Sequence, residues 1–138
     1  MSTQPLNILL VEDDVVDVMN VRRAFAKHHI TNPLFVAGDG LEALEMLRSD
    51  AVPRGRRIVL LDLNMPRMNG IEFLRELRQD PGLAATSVVV LTTSNDERDR
   101  IEAFNLNVAG YLVKPVTFEN FCDVMVALDK YWSLVELP

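Results

Sequence analysis

Four short stretches of this sequence carry groups suited to chemistry on phosphate: Glu12-Asp13-Asp14, Asp62, Thr92-Thr93-Ser94 and Lys114. Crowded carboxylates repel, and such a cluster is stable when some of them protonate or a cation joins them. Hard oxygen ligands from two segments suit Mg2+, which keeps several waters and leaves room for a substrate phosphate. A lysine ammonium offers a point charge to phosphate oxygens, and a threonine hydroxyl offers a hydrogen bond. An aspartate can act as the nucleophile and form an aspartyl-phosphate. Phosphoryl transfer rests on positioning and charge neutralisation more than on covalent chemistry. These groups therefore suffice if the fold brings them to one place.

Each stretch ends or follows an apolar run. Leu6–Val11 precedes the first acids, Ile58–Leu61 runs into Asp62, Ser87–Leu91 reaches Thr92, and Ala109–Val113 reaches Lys114. Short continuous apolar runs read as strands buried on both faces, typical of a parallel sheet. Leu34–Ala37 is a fifth such run. Between them lie helical patterns: Val18, Val21 and Phe25; Ala43, Leu44 and Leu47; Ile71, Phe73, Leu74 and Leu77; a segment through Ala103 and Phe104; and a last one from about Thr117. Asp13 or Asp14 caps the first of these, and Asn69-Gly70 opens the third. Five strand-then-helix rounds predict an α/β fold. It is a doubly wound, five-stranded parallel sheet of flavodoxin-like type in three α/β/α layers. In such a sheet every strand points its carboxyl end the same way, and that edge is where open α/β sheets bind ligands.

Taken singly, each residue has a plainer reading. Asp13 or Asp14 could be only a helix cap, Thr92 a β-branched strand end, and Lys114 a surface lysine. Asp62, closing a fully apolar strand, is harder to explain that way. The conjunction at one edge carries the argument.

The 138 residues amount to one domain, and the net charge of −6 argues against binding a nucleic-acid backbone. Arg54, Arg56 and Arg57 sit beside Pro53 and Gly55 and read as a solvated loop. The single cysteine, Cys122, fits a reducing, cytoplasmic setting and a packing role. His28 and His29, adjacent at a helix end, lack ligand spacing and suit a helix C-terminus. No apolar run reaches the ~18 residues of a membrane helix.

Leu9-Leu-Val-Glu-Asp13, Leu61-Asp-Leu-Asn-Met-Pro66, Leu91-Thr-Thr93 and Gly110-Tyr-Leu-Val-Lys-Pro115 together resemble the four motifs of the response regulator receiver domain, over almost the whole chain. The resemblance implies that Asp62 is the phosphorylated aspartate and that Mg2+ is the cofactor. Asp13 would ligate it directly, Glu12 through water, and Asp62 and the Asn64 backbone carbonyl would complete the protein ligands. Thr92 would be the switch hydroxyl, Lys114 the partner of the phosphoryl oxygens, and Tyr111 the aromatic that moves inward on activation. Lys114-Pro115 would be cis. Side chains at Asn64 and Ser94 would tune dephosphorylation. The donor would be a phosphohistidine on a sensor histidine kinase, and the receiver would catalyse the transfer to itself. One departure is Glu12, where many members have Asp; its longer side chain would weaken or re-aim the water-mediated contact without abolishing it. The Val-Glu-Asp start, the Thr-Thr-Ser turn and the Trp…Leu-Pro ending resemble regulators paired with phytochrome-type kinases. Asp14, Asp17 and Val18 of the first helix would then face the kinase.

A single receiver domain is expected over 1–138, with its core at about 6–132, a short tail at 133–138 and no output domain. Output would pass through the receiver's own surface. In the last helix Phe121, Val124, Met125, Leu128, Tyr131, Trp132 and Val135 follow helical spacing, and the apolar character runs on to Pro138. Phe121, Met125, Tyr131 and Trp132 are the expected homodimer face. A competing reading is a pseudo-receiver that only binds protein; the intact Asp62, Thr92 and Lys114 speak against it. A flavin binder would want a hydroxyl-rich loop where Glu12-Asp-Asp14 stands, and an aspartate-nucleophile phosphatase would want an acid at Asn64.

Overall fold

The structure, a computed structural model, describes residues 6–113 and Asp123. In chain order the elements are β1 (Asn7–Val11), α1 (Val15–Lys27), β2 (Leu34–Ala37), α2 (Gly40–Arg48), β3 (Arg57–Leu61), α3 (Gly70–Gln79), β4 (Ser87–Thr92), α4 (Glu97–Asn105) and β5 (Gly110–Val113). The sheet is parallel throughout, in the order β2-β1-β3-β4-β5. This is the flavodoxin-like order. Residues 114–122 and 124–138, with the expected dimer face and the Lys114-Pro115 peptide, lie outside the described residues.

Strand side chains alternate between two cores. Leu9, Val11, Val59, Leu61, Val88 and Val90 pack with Leu44, Leu47, Phe73, Leu74, Leu77 and Ala103 of α2, α3 and α4. Ile8, Leu10, Ile58, Leu60, Val89 and Leu91 pack with Val21, Ala24 and Phe25 of α1. Helices therefore cover both faces, and β1, β3 and β4 are apolar because neither face meets water.

The register sets the working edge. Val11 pairs with Leu61 and with Ala37, Leu61 with Val90, and Thr92 with Val113. The residue after each strand thus emerges on one rim. There Asp14 caps α1 by accepting from the N–H groups of Val16 (2.8 Å) and Asp17 (3.3 Å). Asn69 caps α3 in a reciprocal box with Glu72.

Arg57 corrects the solvated-loop expectation. It is 8% exposed and is the first residue of β3. Its guanidinium donates to the carbonyls of Val52 (3.1 Å) and Leu47 (3.5 Å). Those two acceptors, with the Asp50 carboxylate 4.0 Å from the same nitrogen, make burial of the charge tolerable, and burial still holds its pKa below the usual guanidinium value.

Arg78 fastens the rim opposite the acids. It donates to the carbonyls of Thr86 and Leu106 at 2.7 Å each, Ala84 at 2.9 Å and Asn107 at 3.1 Å, so one side chain joins α3 to two loops. Replacing Arg78 by Ala leaves four carbonyls to water on a half-buried surface. The expected cost is about 2 kcal/mol, read as a lowered urea midpoint. An unchanged midpoint would mean that water replaces the guanidinium fully.

Candidate metal and phosphoacceptor site

Three of the four sequence-predicted acids converge. Glu12, Asp13 and Asp62 each offer a carboxylate oxygen, and all three oxygens lie within 4.8 Å of one another. Glu12 is 4% and Asp62 7% exposed, while Asp13 opens to solvent. Backbone bonds fix where they stand: Glu12 N–H donates to the Ala37 carbonyl at 2.9 Å, and Asp62 N–H to the Val11 carbonyl at 3.0 Å. Glu12 and Asp62 are therefore locked to adjacent strands. Asp14 leaves the cluster, because its carboxylate is spent on the α1 cap while its N–H donates to Glu12 Oε2 at 3.2 Å.

Like charges this close repel by about 3–4 kcal/mol per pair at the effective dielectric of a protein surface. A divalent cation held by hard oxygens reverses the sign of that interaction. The donor set fits such an ion: three carboxylates from two neighbouring strand ends, two of them buried and one facing water.

Asp62 is held from the β4 side by Thr92. The Thr92 Oγ1 hydroxyl, fully buried, donates to Asp62 Oδ1 at 2.9 Å. The same oxygen accepts from the N–H groups of Ser94 (3.2 Å) and Leu63 (3.4 Å). The Asn64 N–H also donates to Asp62 Oδ1, at 3.1 Å. The Asn64 side chain reaches across the mouth to Thr93, its Nδ2 donating to Oγ1 at 3.0 Å.

A second chain of contacts leads away from the site. Tyr111 O–H donates to the Ser94 carbonyl at 3.0 Å, and Ser94 Oγ donates to Asp99 Oδ2 at 2.5 Å. The Tyr111 ring is half-buried, 6.4 Å from Phe104 between centroids, with the Arg100 guanidinium 5.7 Å above it. Burial pushes the Tyr111 phenol pKa up. The β4–α4 turn is thereby tied to Asp62, through Thr92, and to the aromatic.

The structure thus brings together Glu12, Asp13, Asp62, Asn64, Thr92 and Ser94, with Tyr111 joined through Ser94. Lys114, Phe121, Met125, Tyr131 and Trp132 lie outside the described residues. Sequence reasoning missed Thr93 as the partner of Asn64 and Asp99 as the partner of Ser94. It also missed the pairing of Asp39 with Arg67. Asp39-Gly40 before an apolar-periodic segment was an N-cap signal; the contacts of Thr93, Asp99 and Arg67 leave no mark in periodicity.

The model of the response regulator receiver domain matches residues 8–125. Response regulator Rcp1 of Synechocystis is 36% identical over 142 residues, spanning 99% of this chain and 96% of its own. Among solved structures, the phosphorylated cyanobacterial phytochrome response regulator RcpA superposes with a TM-score of 0.85 at 32% identity, covering 98% of this chain and 99% of its own. The Mn2+-bound form of Rcp1 gives 0.82 at 36%, covering 97% and 99%. With the acids, the strand-end aspartate and the hydroxyl already gathered at one rim, these matches settle the family: the chain belongs to the response regulator receiver domains.

Proposed function

We propose that Asp62 accepts a phosphoryl group from the phosphohistidine of a sensor histidine kinase. The observation that carries this reading is the Thr92–Asp62 hydrogen bond beside the Glu12–Asp13–Asp62 cluster. A carboxylate oxygen of Asp62 attacks phosphorus, the P–N bond breaks, and its electron pair leaves with the imidazole. Asp13, Asp62 and the Asn64 carbonyl would hold Mg2+, with Glu12 acting through water. When bound, the ion neutralises the carboxylates and the incoming phosphoryl oxygens. Thr92 turns its hydroxyl from Asp62 Oδ1 to a phosphoryl oxygen, and Lys114 pairs with another. That turn pulls on Ser94, whose carbonyl holds Tyr111, so the aromatic and the α4 surface respond. Asn64 and Ser94 set how readily water reaches the phosphoryl group, and the receiver catalyses both its own phosphorylation and its slow loss.

The resemblance to phytochrome regulators supports a bacteriophytochrome-type kinase as donor, in the cytoplasm. Val15, Val16 and Met19 of α1 are 70%, 63% and 45% exposed. They stand just beyond the acids, where Asp14, Asp17 and Val18 were expected to face the kinase. Apolar side chains displayed beside a reactive edge suit a helical partner. Output as a homodimer through Phe121, Met125, Tyr131 and Trp132 remains part of this reading, without nucleic-acid or membrane contact. Among the described residues no helix is long and apolar enough to cross a membrane.

Acetyl phosphate with Mg2+ should add one phosphoryl group by intact mass, and a chelator should abolish the gain. Gain that persists in excess chelator would overturn the metal-dependent mechanism. A phosphotransfer profile against candidate kinases tests the donor. Thr92→Val should slow incorporation about tenfold, the loss of one hydrogen bond to a charged group, while Asp62 still labels. A rate equal to the parent would remove Thr92 from the reaction.

A further inference from the structure

The loop from Asp62 to α3 has a second tie, to the turn between β2 and α2. Arg67 Nε donates to Asp39 Oδ2 at 2.6 Å, and Nη2 of the same guanidinium meets that oxygen as well. Asp39 is 4% exposed. Its other oxygen, Oδ1, accepts from the Glu42 N–H at 2.9 Å and caps α2. One buried carboxylate thus serves a helix start and a loop. The Glu42 N–H, with Arg67 beside it, holds the Asp39 pKa below the usual carboxylate range, so the pair stays charged at neutral pH.

The backbones meet at the same place. Gly40 N–H donates to the Met68 carbonyl at 3.2 Å, and a Cβ on Gly40 would lie 2.8 Å from Met68 Cγ and 3.0 Å from that carbonyl. Arg67 itself sits at φ 62°, a left-handed backbone that a residue with a long side chain seldom adopts. Such a conformation persists where surrounding contacts over-determine it.

We propose that the Asp39–Arg67 pair is a positioning device for the cation site: it holds loop 63–69 so that the Asn64 carbonyl faces the metal, without either residue touching the ion. This rests on the metal-dependent reading above. Asn64 stands three residues from Arg67. Its N–H is tied to Asp62 and its side chain to Thr93; Arg67 fastens the loop's other side. Releasing it lets the loop populate arrangements with the carbonyl turned away, and affinity falls by the fraction that remains competent.

Charge and positioning act on cation affinity in opposite directions. Removing Arg67 makes the protein more negative, and by charge alone that strengthens cation binding. Loss of positioning weakens it. Mg2+ is titrated calorimetrically into the full chain, parent and variants. The parent should bind, with binding lost in D13N. R67A should bind about tenfold more weakly, and R67K should fall between. R67G, which suits the left-handed backbone and lacks the guanidinium, should match R67A. In acetyl phosphate labelling the half-saturating Mg2+ should rise by the same factor, with the rate at saturating Mg2+ unchanged. Binding in R67A and R67G as tight as in the parent, or tighter, overturns the positioning role and leaves the metal site standing. A parent that binds no Mg2+ overturns both.

Discussion

Asp62→Asn ends phosphoryl incorporation: intact mass after acetyl phosphate and Mg2+ shows the unmodified chain alone. The amide is nearly isosteric, and its oxygen still accepts from Thr92 Oγ1 and the Asn64 N–H, as the carboxylate does at 2.9 and 3.1 Å. What disappears is the anionic nucleophile. The same change removes one of three crowded negative charges, so the unfolding midpoint should hold or rise. Loss of labelling with undiminished stability separates chemistry from folding. Labelling that persists on the variant would place the acceptor elsewhere and sink the functional reading.

Gly70→Ala should be the most damaging small substitution near the site. Gly70 is the first residue of α3, and its N–H donates to the Leu63 carbonyl at 3.0 Å. A Cβ there would lie 2.7 Å from the Asp62 carbonyl oxygen, the Leu63 Cα and the Leu63 Cδ2. Two of those atoms are backbone, at Asp62 and Leu63, so relief requires the chain to move where β3, α3 and Asp62 meet. The expected loss is about 3 kcal/mol, the upper part of the range for overpacking, with slower labelling as Asp62 is displaced. Gly82→Ala is the control. Its Cβ would meet only Asp80 Oδ1, at an ordinary 3.5 Å. Equal urea midpoints for the two variants would contradict the close approach.

Much of this was legible in the residues. β1, β3 and β4 are continuous apolar runs because both faces are covered, and that pattern survives any detail of packing. Asp62 was legible because an acid ends one of them. The choice between Asp13 and Asp14 as cap was not, since adjacent aspartates offer the same oxygen and only the strand's exit direction separates them; the fold gives Asp14 to the helix and Asp13 to the cluster. Arg57 misled because an arginine next to Pro and Gly carries every sign of a loop, and the carbonyls of Leu47 and Val52 that shelter it come from a preceding helix end and turn. The Asp39–Arg67 and Ser94–Asp99 contacts join side chains whose order along the chain has no period. Gly70 was noted only as a helix opener; its tight seat against Asp62 is a property of three dimensions.

The parallel arrangement has a practical side. Among the described residues, Glu12, Asp13, Asp62 and Thr92 gather where strands leave the sheet, and the turn at 53–55 lies where β3 enters it. Pro53, Arg54 and Gly55 are exposed, and Arg78 braces other loops on that side. A fluorescent reporter or affinity handle spliced into that turn would therefore ride on the molecule's far pole, tolerated as exposed loop tips are, while the signalling pole stays clear for its partners.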